Sequence, residues 1–255
     1  MRPTDGATRV VEVLDLLGAA PEGEAVSTIA ERLGVHRSTT SRLLATLASS
    51  GIVERDATTQ RYRLGAKIVG LAATAVARLP VVSQARPELE QLSVATAETA
   101  NLAILDGFHV VYVDQVTPAQ TVVMASWVGR RSPVHASSSG KVLIAFGDTR
   151  TREALLRRRL TSLTDRTLID PAALRRVFEE ARGRGFATSS GELEDGLVSV
   201  AAPILSDGRA IAALSVSGPA YRLPARDIPG LARHVLAASV AVGHRMAGRT
   251  GTARS

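Results

Sequence analysis

The chain has 255 residues, enough for one large domain or two modest ones with buried cores. Hydrophobic residues make up 45% and charged residues 22%, which excludes a wholly disordered or collagen-like chain. Cysteine is absent, excluding disulfides, thiol catalysis and cysteine-ligated metal, and the net charge of +7, carried almost wholly by arginine, suits a polyanionic partner.

Taken in order, Val10, Val13, Leu14 and Leu17 form the apolar stripe of a first helix. A loop over Ala19–Ala25 leads to a second helix, where Thr28 and Glu31 have the spacing of a capping box and Gly34 is the stop. A third helix from about His36 to Ser49 turns Thr40, Leu43, Leu44 and Leu47 inward. Ile52–Arg55 and Arg61–Leu64 read as a two-stranded ribbon around a polar turn. A regular stripe follows, Ile68, Leu71, Ala72, Ala75, Val76 and Leu79, closed by Pro80; it is expected to pack outside the small domain.

Beyond Pro80 the pattern is α+β. Val82, Ala85, Leu89 and Leu92 mark an amphipathic helix, and strand-like runs fall at Asn101–Leu105, Val110–Val116 and Val122–Ala125. A helical region spans Ser137–Arg184, with Asp170 capping a helix that Pro171 opens. Ser199–Leu205 and Ala210–Ser217 flank Asp207-Gly208, a hairpin signal. A last helix from about Asp227 directs Leu231, Val235, Ser239 and Val242 inward, and the tail from Ala247 reads as disordered. An antiparallel sheet with helices inserted between its early and late strands is the plan of a small-molecule sensing domain. Met1–Arg9 is polar and Ile68–Ala77 is too short to span a bilayer, so the expectation is a cytoplasmic protein with no membrane partner.

The helix–turn–helix carries the strongest functional signal. With the third helix's apolar face inward, Arg37, Ser38, Thr39, Ser41 and Arg42 stay outside near its N-terminus. Forked arginines and short hydroxyls are the groups that read base edges and phosphates. Arg55, Arg61 and Arg63 stand on the ribbon as a wing. From Arg32 to Lys67 there are seven basic and two acidic residues, a local charge of +5. The alternative for these residues is a solvated face on a small bundle.

Three runs, Val26–Gly34, Arg37–Leu44 and Gly51–Arg55, followed by Arg61-Tyr62-Arg63-Leu64-Gly65, resemble the winged helix of IclR-type transcriptional regulators. The resemblance continues in Asn101-Leu102-Ala103, Pro133–Lys141, Arg184-Gly185-Phe186, Gly196 with Val200–Pro203, and Leu214–Pro219, covering about residues 8 to 245. It implies a winged helix-turn-helix domain over 6–66, a linker and dimerisation helix over 67–80, a GAF-like effector-binding domain over 81–248 and a tail over 249–255. It further implies a homodimer or dimer of dimers, double-stranded operator DNA as partner, with Thr28 beside the recognition residues, a small-molecule effector, and no cofactor.

An effector site can also be argued from the residues. Ser215 and Ser217 are two apart on a strand and share a face with Ala213; Ser199 begins the neighbouring strand. Ser137, Ser138 and Ser139 precede the apolar run Val142–Phe146, where free N–H groups at a helix start favour an anion. Hydroxyls and helix N–H groups without paired carboxylates suit a small carboxylate or hydroxylated ligand. The resemblance implies effector positions at Ser138, Ser139, Ser189, Leu197, Ser199, Ser215 and Ser217, and Met124 and Trp127 could supply an apolar wall. Relatives often carry acidic residues where this chain has Ser189-Ser190-Gly191 and keeps only Glu192, so no relative's effector transfers directly.

Other signals are bland. Ser139-Gly140-Lys141 lacks the first glycine and the final Ser/Thr of a phosphate loop. Five scattered histidines offer no metal spacing, and Arg157-Arg158-Arg159 reads as a solvated helix face. The competing functions are an enzyme with a regulatory N-terminal domain, against which stands the lack of a nucleophile elbow or acid/base pair, and a protein-binding module.

Overall fold

A computed structural model describes residues 5–118 and 126–252. The chain divides into two compact units, Met1–Arg78 and Leu79–Ser255. The first holds α1 (Asp5–Gly18), α2 (Val26–Leu33), α3 (Arg37–Ser49), the strands β1 (Val53–Arg55) and β2 (Tyr62–Leu64), and α4 (Ala66–Ala77). Its core gathers Val13 and Leu17 of α1, Ile29 of α2, Leu44 and Leu47 of α3, and Val53 and Tyr62 of the ribbon. Gly34, at φ 63°, supplies the left-handed turn that ends α2 and lets α3 begin three residues later.

Two local expectations are corrected. Ala25, which makes no side-chain cap, precedes α2, so Ser27 and Thr28 lie inside its first turn and the capping box of Thr28 and Glu31 does not form. The cause is tertiary: Glu24 and Tyr62 exchange two backbone hydrogen bonds of 2.8 Å, fixing the chain against β2 and starting the helix earlier. Likewise α4 ends at Ala77, short of Pro80, which opens α5 instead.

The second unit contains α5 (Pro80–Thr96), β3 (Thr99–Asp106), β4 (His109–Val116), β5 (Arg131–Pro133), α6 (Ser138–Ala145), α7 (Thr149–Leu156), α8 (Pro171–Arg184), β6 (Ala187–Ser190), β7 (Leu197–Ser206), β8 (Arg209–Pro219) and α9 (Ile228–Thr252). The strands form one antiparallel sheet in the order β5-β4-β3-β8-β7-β6. Asp207 and Gly208, both at positive φ, make the tight turn between β7 and β8. Strands β5 and β6, only three and four residues long, are too short to have shown an alternating pattern. The expected strand at Val122–Ala125 lies outside the described residues.

Each face of the sheet has its own core. Ala100, Leu102, Ala202, Ile204, Ala212, Leu214 and Val216 pack on α5 and α9. On α5 Ala85, Leu89 and Leu92 are buried as expected; only the first position differs, Val81 being buried and Val82 partly covered. The opposite face, with Ala103, Tyr112, Ala201 and Ala213, meets Val142–Ala145 of α6, Leu155 of α7, and Leu174 and Phe178 of α8. Asp170 accepts the Ala173 N–H at 2.7 Å and caps α8. Helix α7 stops at Leu156, so Arg157–Arg159 follow its end rather than line its face. Helix α9 runs to Thr252, into the stretch expected to be disordered; after Pro229 in its first turn no proline interrupts it. No single helix among the described residues is long and apolar enough to cross a membrane.

Gly140 sets how closely α6 approaches the chain before it. A Cβ there would lie 2.3 Å from Val134 Cα and 2.4 Å from its carbonyl oxygen, so backbone meets backbone. Gly140→Ala is therefore expected to lower unfolding free energy by about 3 kcal/mol or more, read by urea titration of the full chain. Unchanged stability would show that α6 can back away.

Candidate nucleic-acid interface and ligand pocket

His36 precedes α3 in extended conformation, and its Nδ1 accepts from the Ser38 N–H and contacts Ser38 Oγ at 2.9 Å. Thr40 and Leu44 are fully buried, with Leu47 nearly so, and Leu43 is half-buried. That orientation leaves Arg37, Ser38 and Arg42 exposed and Thr39 and Ser41 half-exposed. Thr28 is half-buried on α2. On the ribbon Glu54 faces Arg63 in register, and Arg63 Nε donates to Glu54 Oε1 at 2.6 Å. Arg61 Nη1 donates to the Gly23 carbonyl, and the Arg55 guanidinium lies over the Tyr62 ring. Asp56 accepts the Thr58 and Thr59 N–H groups and closes the turn; the Thr59 N–H foremost holds its carboxyl below the usual range.

Strand register builds the second site. Ser189 pairs with Ser199, Ser199 with Ser217, and Ser217 with Thr99, a row of hydroxyls across four strands. The next row on the same face runs Ala187, Ala201, Ser215, Asn101 and Gln115. Both rows face α6, whose start adds the remaining hydroxyls. Ser137 caps that helix by accepting from the Gly140 N–H at 3.1 Å, and Ser138 Oγ donates to Ser199 Oγ at 2.8 Å. Asn101 Nδ2 donates to Ser217 Oγ at 3.1 Å, while Asn101 Oδ1 and Ser139 Oγ are buried without a partner.

These groups surround a cavity of about 10 Å³ lined by Asn101, Tyr112, Trp127, Ser137, Leu193, Leu197, Ser199, Ser215 and Ser217. That is room for about one water. Trp127 is buried, with its ring 5.4 Å from that of Tyr112 and the Arg130 guanidinium over it. Of the sequence candidates, Trp127, Leu197, Ser199, Ser215 and Ser217 line this space, and Ser138 touches it through Ser199. Ser189 donates instead to the Ala136 carbonyl at 2.8 Å, and Ser139 is buried beside the lining. Met124 lies outside the described residues. Asn101, Tyr112 and Leu193 were not among the candidates. Asn101 left a trace in the sequence, as a lone amide in an otherwise apolar strand.

The wall beside Leu193 and Leu197 is strapped down. Lys141 Nζ donates to Glu192 Oε1 at 2.5 Å and to the Thr188 carbonyl at 2.9 Å. Thr164 and Thr167 donate to the Gly191 and Glu192 carbonyls. Burial pushes Lys141 down and Glu192 up, and each partner's charge opposes that push. No group of three or more histidine or carboxylate side chains that could hold a metal is found among the described residues.

Burial pushes the Tyr112 phenol up to about 12. Its O–H therefore remains a donor throughout the neutral range. Since the unfolded phenol ionises near pH 10, this group's contribution to stability is intact below that and declines as pH rises toward 12. Tyr112→Phe is expected to remove about 2–3 kcal/mol of the stability lost between those values. Denaturant titrations at a series of pH values check this, and identical alkaline limbs for both proteins would refute it.

Comparison with known proteins agrees with this architecture. A family model described as the IclR helix-turn-helix domain matches residues 6–57, and one for the C-terminal part of bacterial IclR regulators matches 73–244. The HTH-type transcriptional regulator BhcR of Paracoccus denitrificans is 37% identical over 243 residues, covering 94% of this chain and 87% of that protein. An IclR regulator from Alicyclobacillus acidocaldarius superposes with a TM-score of 0.82 at 28% identity, over 95% of this chain and 99% of that one. An IclR homologue from Microbacterium hydrocarbonoxydans, solved with 4-hydroxybenzoate, gives 0.81 at 30% identity, over 94% and 98%. A helix–turn–helix with its ribbon, followed by a sensing sheet and matched over nearly its full length, places this chain in the IclR family of DNA-binding transcriptional regulators.

Proposed function

We propose that this protein represses or activates an operon of catabolic genes by reading an operator with α3 and answering to a small aromatic or aliphatic carboxylate bound against the serine face. The observation that carries the effector half is the meeting of Ser199, Ser215 and Ser217 with Ser137 and Ser138 around one cavity. Donors abound there and no charged side chain lines the space, so an anion would be held by O–H and N–H groups and by the start of α6. The Microbacterium relative's 4-hydroxybenzoate supports a carboxylate of this kind. Binding rather than catalysis is the role of this site, and a chromosomal operator would place the protein in the cytoplasm.

On the DNA side Arg37, Arg42, Ser38, Thr39 and Ser41 would reach base edges, with Thr28, Arg55, Arg61 and Arg63 on the backbone. Arg63 would exchange Glu54 for a phosphate, an exchange eased by the exposure of that pair. Residues 6–66, 67–80 and 81–248 would serve as reader, link and sensor, and the break between the compact units after Arg78 supports a link there. Dimerisation would run through α4: no residue of that helix is buried, and Val69 and Leu71 are 70% and 54% exposed. One recognition helix reads too few bases, so two half-sites about one helical turn apart are expected.

Three measurements test this reading. Arg42→Ala should lose about 1–3 kcal/mol of operator affinity and relax one base position, whereas Arg61→Ala should weaken all sequences alike and flatten the salt slope by about one unit. Replacing Leu71 and Val76 by Glu should yield monomers in sedimentation, with weak operator binding; a dimer persisting in that variant would move the interface elsewhere. Ser217→Val should weaken the effector, identified by a thermal-shift screen of small carboxylates, about five- to hundredfold while operator affinity holds. An unaltered dissociation constant would remove Ser217 from the site.

A further inference from the structure

A cleft of about 230 Å³ lies apart from the hydroxyl cavity, between α8 and the edge strand β6. Leu168, Val177 and Phe186 make apolar walls, and Lys141 and Glu192 line it where the protein is deepest. The Glu180–Arg184 ion pair stands at its rim. Its volume exceeds the ~150 Å³ of an apolar cavity that admits benzene.

The hydrogen-bonding balance of the ion pair selects the head group. Lys141 has two acceptors, Glu192 Oε1 and the Thr188 carbonyl, so one of the three N–H bonds of an ammonium is spare. Glu192 Oε2 is buried without a well-aligned hydrogen bond, the Ser190 N–H being the backbone donor that favours the charged carboxylate. A carboxylate brought here would confront Glu192, and an ammonium would confront Lys141. A hydroxyl can accept from one and donate to the other. The walls ask for an apolar body.

We infer that this cleft is a second small-molecule site, for a phenol-type alcohol whose hydroxyl bridges Lys141 Nζ and Glu192 Oε2 and whose ring lies against Leu168, Val177 and Phe186. The inference is independent of the effector site on the serine face. The competing occupant is ordered water on the ion pair alone.

Soaking crystals of the full chain with 4-bromophenol tests the location through the anomalous signal of bromine. Titrating 4-fluorophenol against the protein, followed by fluorine NMR, tests affinity in solution. The expected result is bromine in the α8–β6 cleft and a saturable titration. Glu192→Gln should weaken it about five- to hundredfold. Because that change touches a buried pair, Val177→Phe provides a second arm: it fills the cleft from a half-buried wall position, should abolish binding, and should leave the circular dichroism spectrum unchanged. Bromine only among Ser199, Ser215 and Ser217, or water alone on Lys141 and Glu192 with a titration that never saturates, would overturn the site. So would a folded Val177→Phe protein that binds 4-fluorophenol as wild type does.

Discussion

Side chains alternate along a strand, so the register that joins β7, β8 and β3 decides what each face of the sheet can hold. The pairing of Ser199 with Ser217 and of Ser215 with Asn101 sends Ser199, Ser215, Ser217, Thr99 and Asn101 toward α6. The same pairing sends Ala202, Val216, Leu214 and Leu102 toward α5 and α9. A slip of β8 by one residue would bury the Ser215 and Ser217 hydroxyls in the apolar core and bring Leu214 and Val216 to the pocket face. Burying a hydroxyl without a partner costs about 1–3 kcal/mol each, so the arrangement that makes the pocket also locks the pairing. On the proposed reading, recognition and folding would draw on one constraint.

The first unit was legible in the sequence because its signals are local. Helix stripes at a period of 3.6, Gly34 and the spacing of Arg37 to Arg42 against Leu44 all lie within one or two turns of each other. The expected cap at Thr28 failed because Glu24 answers to Tyr62, a partner 38 residues away that no local pattern reveals. In the second unit the same division holds. Ser215 and Ser217 announce themselves by alternation, whereas Leu193 sits in a loop without period and Tyr112 looks like any strand residue. Lys141 and Glu192, 51 residues apart, meet only through the packing of α6 on β6. The sequence offered Lys141 as the end of a defective phosphate loop and of the Pro133–Lys141 run, and its true partner could not be read from either.

That ion pair belongs to specificity more than to stability. Two charges taken from water lose hydration that their attraction only partly restores, and an apolar pair of the same volume is often as stable. Removing one partner alone, however, costs about 3–5 kcal/mol. Together with Thr164 and Thr167, the pair fixes Gly191 and Glu192 in a single arrangement, and so fixes where Leu193 and Leu197 meet the cavity.

If the effector enters the hydroxyl cavity as proposed, the tightness of that cavity would govern the rate at which it is sensed. Nothing as large as a six-membered ring enters about 10 Å³ until Trp127, Tyr112 or the leucines beside them swing apart. Only the opened fraction of molecules can then capture ligand, and the apparent dissociation constant is the intrinsic one divided by that fraction. Were about one molecule in a hundred open, affinity and association rate would both fall by about a hundredfold. Single substitutions at Trp127 that ease opening would then make the sensor faster and more sensitive without adding a contact to its ligand.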